Sequence, residues 1–111
     1  MFKRTVIIAL AALYILGLTG TVLAEPDGNH RKGKYLFRKS CRSCHIEGGK
    51  AKVLEPLTFT MAEWDKVFKP ETAAKYPCKP EWDKIGQKDV QDIFTYLYKF
   101  AKDSPTPAKC N

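Results

Sequence analysis

With 111 residues, the chain is long enough for one small domain and too short for two of ordinary size. It carries 19 Lys and Arg against 12 Asp and Glu, a net charge of +7 that would suit a polyanionic partner. Its N-terminus reads as that of an exported protein, which argues against nucleic acid. An acidic protein or an anionic membrane surface fits better, with the charge acting mainly on encounter rates.

Lys3 and Arg4 precede a run, Thr5 to Ala24, that has no charged residue and an apolar centre from Val6 to Leu18. A basic start, an apolar middle and a small residue at the cut, Ala24, read as a secretory signal peptide over residues 1–24. The alternative is an uncleaved anchor, because about 20 uncharged residues just span a bilayer. Gly17, Gly20 and the ending Val22-Leu23-Ala24 favour cleavage. Either way the working part, residues 25–111, is expected outside the cytoplasm. Without Lys3 and Arg4 it keeps 17 basic against 12 acidic residues, about +5. A unit of that size buries little surface and often needs a disulfide or a metal centre as a staple.

Glu25 to Asn29 is polar and turn-rich, and a helix is expected from His30. Gly33, Leu36, Phe37, Ser40, Cys41 and Cys44 recur at helical spacing and form one face. Arg31, Lys32, Lys34, Arg38, Lys39 and Arg42 make the opposite side basic. Gly33 on the buried face allows a second helix to come close. Gly48-Gly49 ends the element, and Val53, Leu54, Pro56, Leu57 and Phe59 come next with no period, as suits a loop draped over a bound group. Thr60-x-x-Glu63 is a capping box. It opens a helix with Met61, Trp64 and Phe68 on one face and a stop near Lys69, before Pro70. Glu71 to Gly86 reads as a loop.

The last helix, about Gly86 to Lys102, carries an apolar stripe of Val90, Ile93, Phe94, Leu97 and Ala101. Asp89 and Asp92 in its first turns and Lys99 and Lys102 in its last complement the helix dipole. Tyr96, Tyr98 and Phe100 widen the aromatic surface, and Cys110 lies in an extended tail after Pro105 and Pro107. No convincing strand occurs after residue 24, so the expected fold is all-α with about three helices.

Cys41-Arg42-Ser43-Cys44-His45 is a C-x-x-C-H run. Two thiols one helical turn apart can add across the two vinyl groups of a haem, and the next histidine can give the iron a nitrogen. A thiol redox site would want a βαβ setting. A zinc site would want four close ligands, whereas the remaining cysteines, Cys78 and Cys110, stand 32 residues apart. The motif and the export leader together point to one covalent haem c. The haem would be the staple, and the chain is expected to fold poorly without it.

From Gly33-x-x-Leu36-Phe37-x-x-x-Cys41-x-x-Cys44-His45, through Pro56-Leu57, to a terminal helix with Tyr96-Leu97, the chain resembles a bacterial class I monohaem cytochrome c. The resemblance covers most of residues 30 to 102. It implies that the first and last helices cross, Gly33 and Phe37 meeting Phe94 and Leu97. It also implies that Phe37 and Leu57 lie against the haem, with Cys41 and Cys44 bonded to it and His45 as proximal ligand. The Pro56 carbonyl would accept a hydrogen bond from the proximal imidazole, fixing its ring and raising its basicity.

The distal side departs from that pattern. Class I cytochromes usually place a methionine just before the last helix, and this chain has Cys78 there. Its only methionine beyond Met1 is Met61, sixteen residues after His45. Met61 could ligate the iron, raising the potential, or fill core space beside Trp64 and Phe68. An open or water-bound site and a Cys78 thiolate are the further alternatives. Compartment and reach favour a Cys78–Cys110 disulfide over a Cys78 ligand. His30 is expected at the surface.

Three functional classes remain. The first is a periplasmic single-electron carrier whose Lys and Arg residues meet acidic surfaces on redox partners. The second is a ligand-binding or sensor module with an open iron. The third is a haem subunit of a larger membrane-associated redox complex, which a retained Thr5–Ala24 anchor would support. A stand-alone enzyme is not expected, because there is no second haem motif and no acid/base constellation beside His45.

Overall fold

The computed structural model describes residues 25–109; the expected leader and Cys110 lie outside them. Among the described residues there are five α-helices and no strand. They are α1 (His30–Leu36), α2 (Met61–Val67), α3 (Pro70–Ala73), α4 (Lys79–Ile85) and α5 (Gln87–Lys99). A π turn, Phe37–Cys41, runs on from α1, and a 3-10 turn, Pro56–Thr58, precedes α2.

The stretch expected as a loop, Glu71 to Gly86, holds most of α3 and all of α4. Pro70 and Pro80 do not end helices here; they sit in the first turns of α3 and α4, where a missing N–H costs nothing and the fixed φ is already helical. The count of about three helices is corrected to five. Gly86 closes α4 and opens α5 at φ 92°, a backbone conformation that favours glycine.

The first and last helices pack together, as the class I resemblance implies. A Cβ built on Gly33 would lie 1.9 Å from the Asp92 carbonyl oxygen, so the α1 backbone rests directly on α5. The segment before α1 is tied to the same helix. Asn29 N–H donates to Asp92 Oδ1 at 2.8 Å, and Gly28 N–H donates to Thr95 Oγ1 at 3.0 Å. Asp92 is therefore buried as a clamp on the chain entering α1, not displayed as a dipole-balancing surface charge. Lys32 and Asp89 pair at the rim, 2.9 Å apart.

The core is Phe37, Trp64, Ile93, Tyr96, Leu97 and Ala101. Phe37 meets Tyr96, ring centroids 5.8 Å apart, while Phe94 stacks on Phe68, next to α2, at 4.9 Å. Phe94 thus turns to a different neighbour from the one the resemblance implied. Trp64 is 1% exposed, and its indole N–H donates to the Pro56 carbonyl at 3.0 Å. That bond satisfies a polar handle that burial would otherwise penalise. The Thr60–Glu63 capping box forms in both directions at 3.1 Å.

Candidate functional site

The π turn decides how the C-x-x-C-H run is presented. One extra residue in a turn rotates the later residues by roughly 100° relative to a regular helix. The run does not continue the helix, as its spacing suggested. Instead the helical geometry ends at Cys41, and Cys44 and His45 both donate their N–H groups back to the Cys41 carbonyl, at 3.2 and 3.0 Å. The motif is a single turn capping the first helix, with Cys41 half-buried beneath it and Cys44 at the surface.

His45 Nδ1 lies 2.7 Å from the Lys52 carbonyl oxygen. A carbonyl can only accept, so Nδ1 carries a proton, and in the neutral ring Nε2 has the free lone pair, the tautomer a metal ligand needs. The partner is not Pro56, as the resemblance implied. The Pro56 carbonyl is engaged by Trp64, and the loop from Ala51 brings Lys52 to the ring first.

Cys41, Cys44 and His45 open onto one cavity of about 340 Å³, within the roughly 300–1,000 Å³ usual for cofactor sites. Phe37 and Ser40 flank the motif on this wall, and Leu54 and Phe59 come from the loop. The lining also takes in Trp64 and Val67 of α2 with Phe68 after them, Tyr76-Pro77-Cys78, Trp82 and Ile85 of α4, and Val90, Ile93 and Leu97 of α5. Burial pushes the Cys41 thiol up to about 11, and nearby Cys78 adds to the shift.

Met61 is absent from this wall. It packs against the core while its N–H donates to Asp103 Oδ1 at 2.8 Å. The distal position expected of Met61 therefore has no support from its placement. Pro56 and Leu57 line a second cleft of about 470 Å³ with Arg38, Arg42 and Tyr96, which His45 also borders. Of the two residues expected against a haem, only Phe37 faces the cavity that holds both cysteines. His30 is half-buried and edge-on to Phe100 at 5.6 Å, away from the site. Cys78 has no disulfide partner among the described residues. Sequence reasoning missed Trp82 and Ile85, whose i, i+3 spacing on a Pro-opened helix was a readable signal. The Lys52 carbonyl, a backbone group, left no signal.

The residues present fit a haem. The cavity is large and mostly apolar, Cys41, Cys44 and His45 all line it, and the His45 ring is hydrogen-bonded through Nδ1, as a ligand binding through Nε2 requires. All-helical architecture among the described residues, close packing of the first and last helices and this motif define a class I-like cytochrome c, a haem-based electron-transfer domain. Residues 28–97 match the family described as cytochrome C oxidase, cbb3-type, subunit III, and the chain belongs to that family. No curated protein and no solved structure matches it. Among the described residues no helix is long and apolar enough to cross a membrane.

Proposed function

We propose that the protein is an exported monohaem c-type cytochrome that passes single electrons between redox partners. The observation that carries this reading is the convergence of Cys41, Cys44 and the Nε2-ligating tautomer of His45 on one apolar cavity. Cys41 and Cys44 would hold the haem through thioether bonds and His45 through Nε2. When bound, the haem supplies an iron that alternates between ferric and ferrous states. The chain does the rest: Trp64, Trp82, Phe68 and Ile93 keep water from the site, and the Lys52 carbonyl fixes the imidazole and raises its basicity. Arg38 and Lys39 of the π turn and Arg42 after it, all exposed, leave a basic rim beside the motif for acidic docking surfaces.

Family membership also favours a second arrangement, in which the chain is a haem subunit of a membrane-associated complex, held by residues 5–24 if these are retained. Fractionation of the native host separates the two. A haem-stained band of this chain in the soluble periplasmic fraction supports the carrier. Co-migration with a larger detergent-solubilised complex supports the subunit. Covalent haem in neither fraction would sink both.

A further inference from the structure

The cavity that carries the haem-attachment motif offers few donors for a second axial bond. His45 contributes its only imidazole, because the other histidine, His30, lies against Phe100. Met61 is outside it. Glu81 reaches the rim but pairs with Lys84 at 3.2 Å on a well-exposed side chain. Tyr76 packs its ring on Trp82 at 5.7 Å. Among the described residues, the remaining strong donor is the sulfur of Cys78, held between Pro77 and the first turn of α4.

We propose that Cys78, as a thiolate, is the sixth ligand of the iron of a haem bonded at Cys41 and Cys44, completing a histidine–thiolate pair with His45 Nε2. The inference rests on the haem reading above and adds the identity of its distal face. Cys78 is not an isolated thiol: it lines the same cavity as the attachment cysteines and His45, whose Nδ1 is bonded to the Lys52 carbonyl so that Nε2 is the nitrogen left for a metal. Binding converts the thiol and ferric iron to an iron–sulfur bond and one proton released to solvent, with no change of oxidation state. A thiolate pushes electron density onto the metal, where a thioether raises the potential. The protein is therefore a low-potential carrier, not a high-potential one.

The test uses the exported holoprotein, with covalent haem first verified by haem staining after denaturing electrophoresis. Ferric absorption and electron paramagnetic resonance spectra are expected to show a low-spin histidine–thiolate centre. Met61→Ala and Cys110→Ser should keep that spectrum. Cys78→Ser should lose the sulfur-to-iron charge-transfer band, turn the iron high-spin and raise the midpoint potential. If Cys78→Ser does not mature, the wild-type and Cys110→Ser spectra still decide. A wild-type spectrum with no thiolate signature overturns the proposal, as does an intact mass placing Cys78 in a disulfide with Cys110. A chain without covalent haem removes the functional reading itself, and this one with it.

Discussion

Gly33 has no room for a methyl group, since a Cβ there would fall within 1.9 Å of the Asp92 carbonyl oxygen and 2.5 Å of its carbon. The obstacle is backbone, so it cannot swing away as a side chain would. Gly33→Ala should force α1 off α5 and destabilise the holoprotein by about 1–3 kcal/mol or more, the range of overpacked cores. Urea unfolding measures it, and an unchanged midpoint would contradict the crossing. Tyr96 sets an alkaline limit at the same contact. Burial raises its phenol above the usual 10.0, partly opposed by Arg38 and Arg42. Below about pH 10 neither folded nor unfolded chain ionises at this group, and its contribution is complete. Above it the unfolded chain loses the proton first, so stability falls as pH rises through the folded value. Tyr96→Phe should make that fall shallower in pH-dependent unfolding, and equal slopes would count against it.

At the scale of elements, the parts readable in the sequence are those whose partners are local. The Thr60–Glu63 box needs only three residues of separation, and it forms as expected. Thr60→Ala removes the acceptor for Glu63 N–H and should cost about 1 kcal/mol, within the usual 0.5–2 for a lost N-cap, read as a lower melting temperature with the haem spectrum intact. The C-x-x-C-H motif is legible for the same reason, but its helical spacing hides the π turn that ends the helix at Cys41. The stretch after Pro70 is not, because a proline after a helical run reads as an end. Lys-Pro-Glu occurs twice, at Lys69 and at Lys79, and each copy starts a helix with its acidic residue in the first turn. Proline at N1 or N2 followed by Glu is a start signal. Asp92 misleads in the opposite way. Its place in the first turns of α5 suggests a surface charge, but the backbone N–H it binds, that of Asn29, lies 63 positions away in sequence.

Across the whole molecule, the crossing of the first and last helices is foreseeable from Gly33, and the make-up of the cavity is not. The part of its lining from Tyr76 to Ile85 meets the motif only through the fold, and the acceptor for His45 is a main-chain oxygen that any residue could supply. The cavity also sets how the fold depends on its ligand. Loss of a group that fills about 340 Å³ costs up to about 8 kcal/mol at roughly 24 cal/mol per Å³, comparable with the whole stability of an ordinary domain, about 5–15 kcal/mol. A chain made without haem should keep helical circular dichroism, lose its aromatic signal and unfold without a sharp transition. A cooperative melt matching that of the holoprotein would show the fold to be independent of the cofactor.

Cavity, tautomer and basic rim acquire a function only if this chain is covalently bonded to one haem at Cys41 and Cys44. Intact mass spectrometry of the denatured, exported protein tests that bond directly. The wild-type chain should be heavier than its polypeptide by one haem, and a Cys41→Ala/Cys44→Ala chain should show the polypeptide mass alone. A wild-type mass equal to that of the bare polypeptide, after expression with a working haem-attachment system, would contradict it.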